Sequence, residues 1–142
     1  MAIDMSDDDR RAFLSAGTRT AKLAVTRANG APHVVPIWFV LDGDDLVFTT
    51  GVDTIKGKAI RRDPRVALCV DDDTPPFSFV TIEGTASVSR DLDEMLVWAT
   101  RLGARYMGAA VAEQFGRRNA VPDELLVRVT PTKMVAQARI SD

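Results

Sequence analysis

The chain has 142 residues, 46% hydrophobic and 27% charged, with a formal net charge of −2 at pH 7. Such a chain makes one domain (1–142) around one core, and its faint acidity argues against a general nucleic-acid surface. Cys69 is the only cysteine, which excludes an intramolecular disulfide, and no apolar run approaches the roughly 20 residues of a membrane helix, so a cytoplasmic protein with no membrane partner is expected.

In chain order, Asp7 to Ala16 reads as a short amphipathic helix, capped and acidic from Ser6 to Asp9, stopped by Gly17 and placed as a lid on one end of a barrel. Thr20 to Arg27 is strand-like, and Asn29-Gly30 then marks a hairpin into Pro32 to Leu41. In that second strand both alternating sets are apolar: Val34, Pro36, Trp38 and Val40 on one side, Val35, Ile37, Phe39 and Leu41 on the other. A strand covered on both faces in so small a domain implies that one face meets a partner subunit or a ligand. Pro36 cannot donate to a ladder, which puts it at an edge or a bulge.

Asp44 to Thr50 returns as a third strand, ending at Gly51. Asp53 or Thr54 then caps a helix running to about Arg62. Its first turn holds Lys56 and Lys58 at the end of the dipole that disfavours cations, and Gly57 costs about 1 kcal/mol relative to alanine unless a backbone or a ligand comes close. From Thr54 to Arg65 there are five basic residues and one acidic. A bound phosphate answers both conflicts, since free N–H groups, threonine hydroxyls and ammonium groups would converge on one anion. The plainer reading is a solvated helix, with Arg61 and Arg62 where the dipole favours them.

Val66 to Val70 is a fourth strand. A fifth, Ser78 to Ser89, alternates Val80, Ile82, Gly84, Ala86 and Val88 against a polar face. Asp91 to Glu94 resembles a capping box opening a helix with an apolar stripe from Leu92 to Tyr106, and a second short helix spans Ala110 to Phe115. Glu124 to Thr130 and Lys133 to Ile140 read as one strand interrupted near Pro131, or as two. His33 and Cys69 are too few for a metal site, so no metal is expected, and no nucleophile has a base partner. His33 and Tyr106 read as structural, which leaves the catalytic residues unassigned.

Strands in meander order with helical decoration point to a small antiparallel barrel. The segments PHVVPIWFVLDGDDLVFTT, TIKGKAIRRDPRVALCVDD and FSFVTIEGTASV resemble the pyridoxamine 5'-phosphate oxidase-like split β-barrel family, and more closely its branch that uses the deazaflavin coenzyme F420. The resemblance rests on an ordered set: Pro36, Trp38 and Phe39, the hydroxyls Thr49 and Thr50, a lysine-bearing helix, RRDPRVAL, and Glu83-Gly84. It implies a mainly β protein with helices, a six- to seven-stranded antiparallel split barrel of the FMN-binding type, paired as a homodimer with two cofactor grooves at the interface. Carried over, Thr49, Thr50, Lys56 and Lys58 hold the phosphate, and Val35, Pro36, Ile37 and Trp38 lie along the ring and its linker. Core packing is an equal alternative for Trp38, and Phe77 and Phe79 would complete the groove from the second subunit. The chain departs from some relatives at Thr54 and Ala59, which weakens the phosphate donor set. The implied activity is hydride transfer between reduced F420 and a conjugated or aromatic small-molecule substrate. The alternatives are an FMN-binding oxidoreductase of the same fold and a non-catalytic cofactor or tetrapyrrole carrier.

Overall fold

A computed structural model describes residues 1–142. The elements are β1 (Ile3–Asp4), α1 (Asp7–Ser15), β2 (Ala21–Thr26), β3 (Pro32–Ile37), β4 (Val40–Asp42), β5 (Asp45–Gly51), α2 (Ile55–Arg62), β6 (Arg65–Asp72), β7 (Ser78–Ser89), α3 (Leu92–Met107), α4 (Ala112–Asn119) and β8 (Glu124–Ala138), with a 3-10 turn at Ala109–Val111. The strands form one antiparallel sheet in the order β3-β2-β6-β7-β8-β5-β4, and the two-residue β1 adds to β8. No helix is long and apolar enough to cross a membrane.

The sheet curls around a core that includes Leu23, Phe39, Phe48, Leu68, Val80, Ile82 and Leu125. A second, smaller cluster of Val47, Met95, Trp98 and Leu126 fastens α3 to the outer face of β5 and β8. The two faces follow from strand parity: Phe48 and Leu125 point into the barrel, Val47 and Leu126 out toward α3. β7 keeps its alternation from Val80 to Ala86 and loses it at Val88, which is exposed near the end of the strand. β8 is a single strand whose register slips opposite Glu83 and Gly84. Gly84 has no room for a Cβ, which would sit 2.7 Å from Val129 Cγ1 and 2.8 Å from the Thr130 oxygen.

The split lies between β3 and β4, the two ends of the sheet path. Pro32 to Leu41, expected as one strand, breaks at Trp38 and Phe39 and crosses from the β2 edge to the β5 edge. Two apolar faces carried no period that marked the break. Pro36 sits on an edge strand, opposite Lys22. α3 stitches the crossing: the Phe39 N–H donates to the Tyr106 hydroxyl at 3.1 Å, and the Arg105 guanidinium donates to the Phe39 carbonyl at 2.6 Å. The same guanidinium reaches the carbonyls of Leu14 (2.7 Å) and Gly17 (3.0 Å), supplying the cation that the last turn of α1 lacks. At the other end of α1, Ser6 accepts from the Asp9 N–H at 3.1 Å, and three aspartates sit in the first turn.

Candidate functional site

β5 delivers Thr49 and Thr50 to opposite faces of the sheet. Thr50 turns inward and is buried, and Thr49, on the α3 side, is only half-buried. Beyond Gly51, Thr54 is the N-cap of α2. Its hydroxyl accepts from the Gly57 N–H at 3.0 Å and donates to the Gly51 carbonyl at 2.9 Å, so the Thr50 hydroxyl, 3.0 Å away, is the donor of their contact. This knot explains Gly57 without a ligand, because a Cβ there would collide with the Gly51 carbonyl oxygen. Gly57 thus answers to a neighbouring backbone and not to a bound anion.

The two lysines differ from each other in placement. Lys56 is half-buried with neither a hydrogen bond nor an ion pair, whereas Lys58 is exposed and turned away. Arg61 donates to the carbonyls of Gly57 and Val52, Arg62 to that of Thr26, and Arg65 to the Asp63 carboxylate, so those three are occupied structurally.

Lys56 and Thr49 line a cleft of about 250 Å³ with Pro36, Ile37 and Trp38 of the crossing, Leu102 of α3 and Phe115 of α4. The Trp38 ring stacks on Tyr106 at 4.8 Å and 5°, meets Phe115 at 5.7 Å, and remains 40% exposed. Trp38 therefore both packs and faces the cleft. Five of the eight residues read from the sequence thus converge: Pro36, Ile37, Trp38, Thr49 and Lys56. Val35 is half-buried against the barrel core, Thr50 is tied into the α2 cap, and Lys58 lies outside. Phe77 and Phe79 lie at the turn into β7, away from this cleft, and His33 meets Arg27 at 3.0 Å on the β2–β3 hairpin.

Two lining residues stood outside the strand-centred reading. Leu102 and Phe115 form the helical wall. Their signal was Gly103, costly inside a helix unless a neighbour needs the space; a Cβ there would lie 2.9 Å from that of Phe115. Glu124 is not part of the lining but stands near it on β8. Paired with Gly51, it shares the α3-side face of the sheet with Thr49 and Leu126. Burial pushes its carboxyl up from the ordinary value, against the pull of Lys56. Burial also raises the Tyr106 phenol, whose hydroxyl donates to the Arg19 carbonyl at 2.8 Å.

Chemically, the cleft offers a flat aromatic wall, apolar sides, one hydroxyl and one free cation. That set fits a planar ring carrying an anionic tail. It is small for such a ligand, since sites for molecules of that size usually enclose at least about 300 Å³. A larger groove of about 460 Å³ lies farther along the outer face of the sheet between Ala24, Ala67, Arg65 and Glu83, and includes none of these residues.

Residues 6–138 match the family model described as pyridoxamine 5'-phosphate oxidase. An F420H(2)-dependent biliverdin reductase of Mycobacterium tuberculosis (strain CDC 1551 / Oshkosh) is 34% identical over 102 residues, 70% of this chain and 71% of that protein. Among solved structures, a conserved hypothetical protein of Mycobacterium tuberculosis superposes with a TM-score of 0.85 over 98% of this chain and 88% of its own, at 24% identity. A structure described as an F420 reductase superposes with a TM-score of 0.68 over 87% and 94% of the two chains, at 26% identity.

Proposed function

Because the chain belongs to the pyridoxamine 5'-phosphate oxidase family, we propose that it is an F420-dependent oxidoreductase moving a hydride between the reduced deazaflavin and a conjugated or aromatic small molecule. The observation that carries this is Lys56, a half-buried cation without a partner, at a cleft whose aromatic wall is Trp38. The relative that acts on biliverdin supports the coenzyme and suggests a linear tetrapyrrole as the first substrate to try.

In this reading Lys56 and Thr49 hold the phosphate, and Pro36, Ile37 and Trp38 border the ring. Leu102 and Phe115 keep water from it. Bound reduced F420 supplies the hydride, and the protein's task is to orient and desolvate the two reactants. Tyr106 positions rather than protonates, because its hydroxyl proton is engaged by the Arg19 carbonyl. We also propose that two copies pair along the exposed side of β3, where Val34 is 65% exposed, and that the second copy enlarges the cleft.

Fluorescence titration of the purified protein with F420 and with FMN tests the coenzyme. Tight F420 binding is expected, weakened by about 1 to 3 kcal/mol in Lys56→Ala, the worth of a charge-assisted bond to phosphate. Tight FMN binding without F420 binding would replace the coenzyme, and unchanged affinity in the variant would refute the placement. Oxidation of reduced F420 in the presence of biliverdin, quinones or enones separates an enzyme from a carrier, which binds without consuming it.

A further inference from the structure

The positive charge at this cleft is thin. Lys58 is exposed and outside it, and Arg61 is committed to the Gly57 and Val52 carbonyls. That leaves Lys56 alone, and the strand register sets a carboxylate near it. Glu124 pairs with Gly51, one pair beyond Thr49 and Leu126, so its side chain rises on the face of the sheet that carries the cleft. A Cβ on Gly51 would lie 3.9 Å from Glu124 Oε1, which places the carboxylate over the turn that leads into α2. It has no hydrogen-bond donor and no cation within ion-pair distance, and Lys56 and Asp123 are the charged groups that act on it.

A partly buried acid with no donor, beside the one cation of an anion site, costs stability and weakens anion binding. Its effect depends on the charge of the ligand. A phosphomonoester carries about −1.5 to −2 near pH 7, a diester about −1. One ammonium neutralises a diester, while the second charge of a monoester is left facing Glu124.

We propose that Glu124, beside the cleft rather than in its lining, is a specificity-determining residue, selecting a ligand whose phosphate is a singly charged diester over one whose phosphate is a doubly charged monoester. The inference rests on the F420 reading above, since F420 carries its phosphate as a diester and FMN as a monoester, and it gives that choice a cause in this chain's own residues.

FMN and its phosphate monomethyl ester share ring and ribityl chain and differ by about one charge. Both are used to displace F420 from the wild type, Glu124→Gln and Asp123→Asn. The wild type is expected to take the ester more tightly than FMN. In Glu124→Gln, FMN should gain about tenfold and the ester about threefold, the order expected for one charge several ångströms away in a partly wetted cleft. Asp123→Asn, which removes the same charge from an exposed position, should change the ratio of the two affinities by less than twofold. An unchanged ratio in Glu124→Gln, no gain in FMN binding, or an equal change in Asp123→Asn overturns the proposal. Should Glu124→Gln fail to fold, Glu124→Ala supplies the same comparison. Loss of F420 binding by the wild type would instead overturn the coenzyme reading, whereas Lys56-dependent F420 binding with an unmoved ratio sinks only the role of Glu124.

Discussion

Lys56 and Lys58 are two positions apart on one short helix, and the fold treats them differently. Lys56 leans over the cleft and Lys58 meets solvent. Lys58→Ala should therefore change F420 affinity by less than about 0.5 kcal/mol, as expected of a surface substitution, in the titration where Lys56→Ala loses much more. Glu124 adds a consequence for stability. Burial holds its carboxyl above the ordinary value, so the folded chain binds that proton more tightly than the unfolded one. Its contribution to stability must then fall as pH rises through the window from the unfolded to the folded pKa, and be fully recovered below it. Glu124→Gln removes that contribution. Its melting temperature should exceed that of the wild type at pH 7, and the gap should close below about pH 4, the ordinary glutamate range. A gap that stays constant across that range would show that the carboxylate is not disfavoured by the fold.

At the scale of elements, the break between β3 and β4 needs its backbone groups satisfied from outside the sheet, and α3 does this with Tyr106 and Arg105. Tyr106→Phe keeps the ring on Trp38 but leaves the Phe39 N–H without its acceptor, a loss of about 1 to 3 kcal/mol in chemical denaturation. Arg105→Met withdraws the guanidinium from the carbonyls of Leu14, Gly17 and Phe39 together, and about 2 to 4 kcal/mol is expected there. Variants that melt like the wild type would mean the split is held by apolar packing alone. Local rules made much of this legible. Asn29-Gly30 turns the β2–β3 hairpin with Gly30 at φ 84°, Thr54 caps α2, and β7 shows its period. The crossing at Trp38 was hidden because both of its alternating faces are apolar. The short helix expected at Ala110 to Phe115 starts as a 3-10 turn and runs on to Asn119 as α4. The Arg105 clamp joins residues 66 and 91 positions apart, a separation that no local spacing encodes.

Across the whole molecule, β3, β5, α2, α3 and α4 each give the cleft a wall, yet what they enclose is small for a ring with a tail. The edge strand suggests what is missing. Pro32, Val34, Pro36 and Trp38 form an exposed apolar row along one side of the strand and its continuation, and the row runs from the hairpin into the cleft. An apolar edge left open invites pairing with another chain, and a symmetric partner would cover the row while bringing a second wall to each cleft. Light scattering on the eluted protein should then give twice the chain mass. Val34→Asp lies on the row but outside the cleft, so it should shift the protein to one chain mass and weaken F420 binding together, with the far-ultraviolet spectrum unchanged. A Val34→Asp monomer that binds F420 as tightly as the wild type would show that one chain completes the site unaided. A wild type that runs as a monomer at all concentrations would show that the row is an ordinary exposed edge.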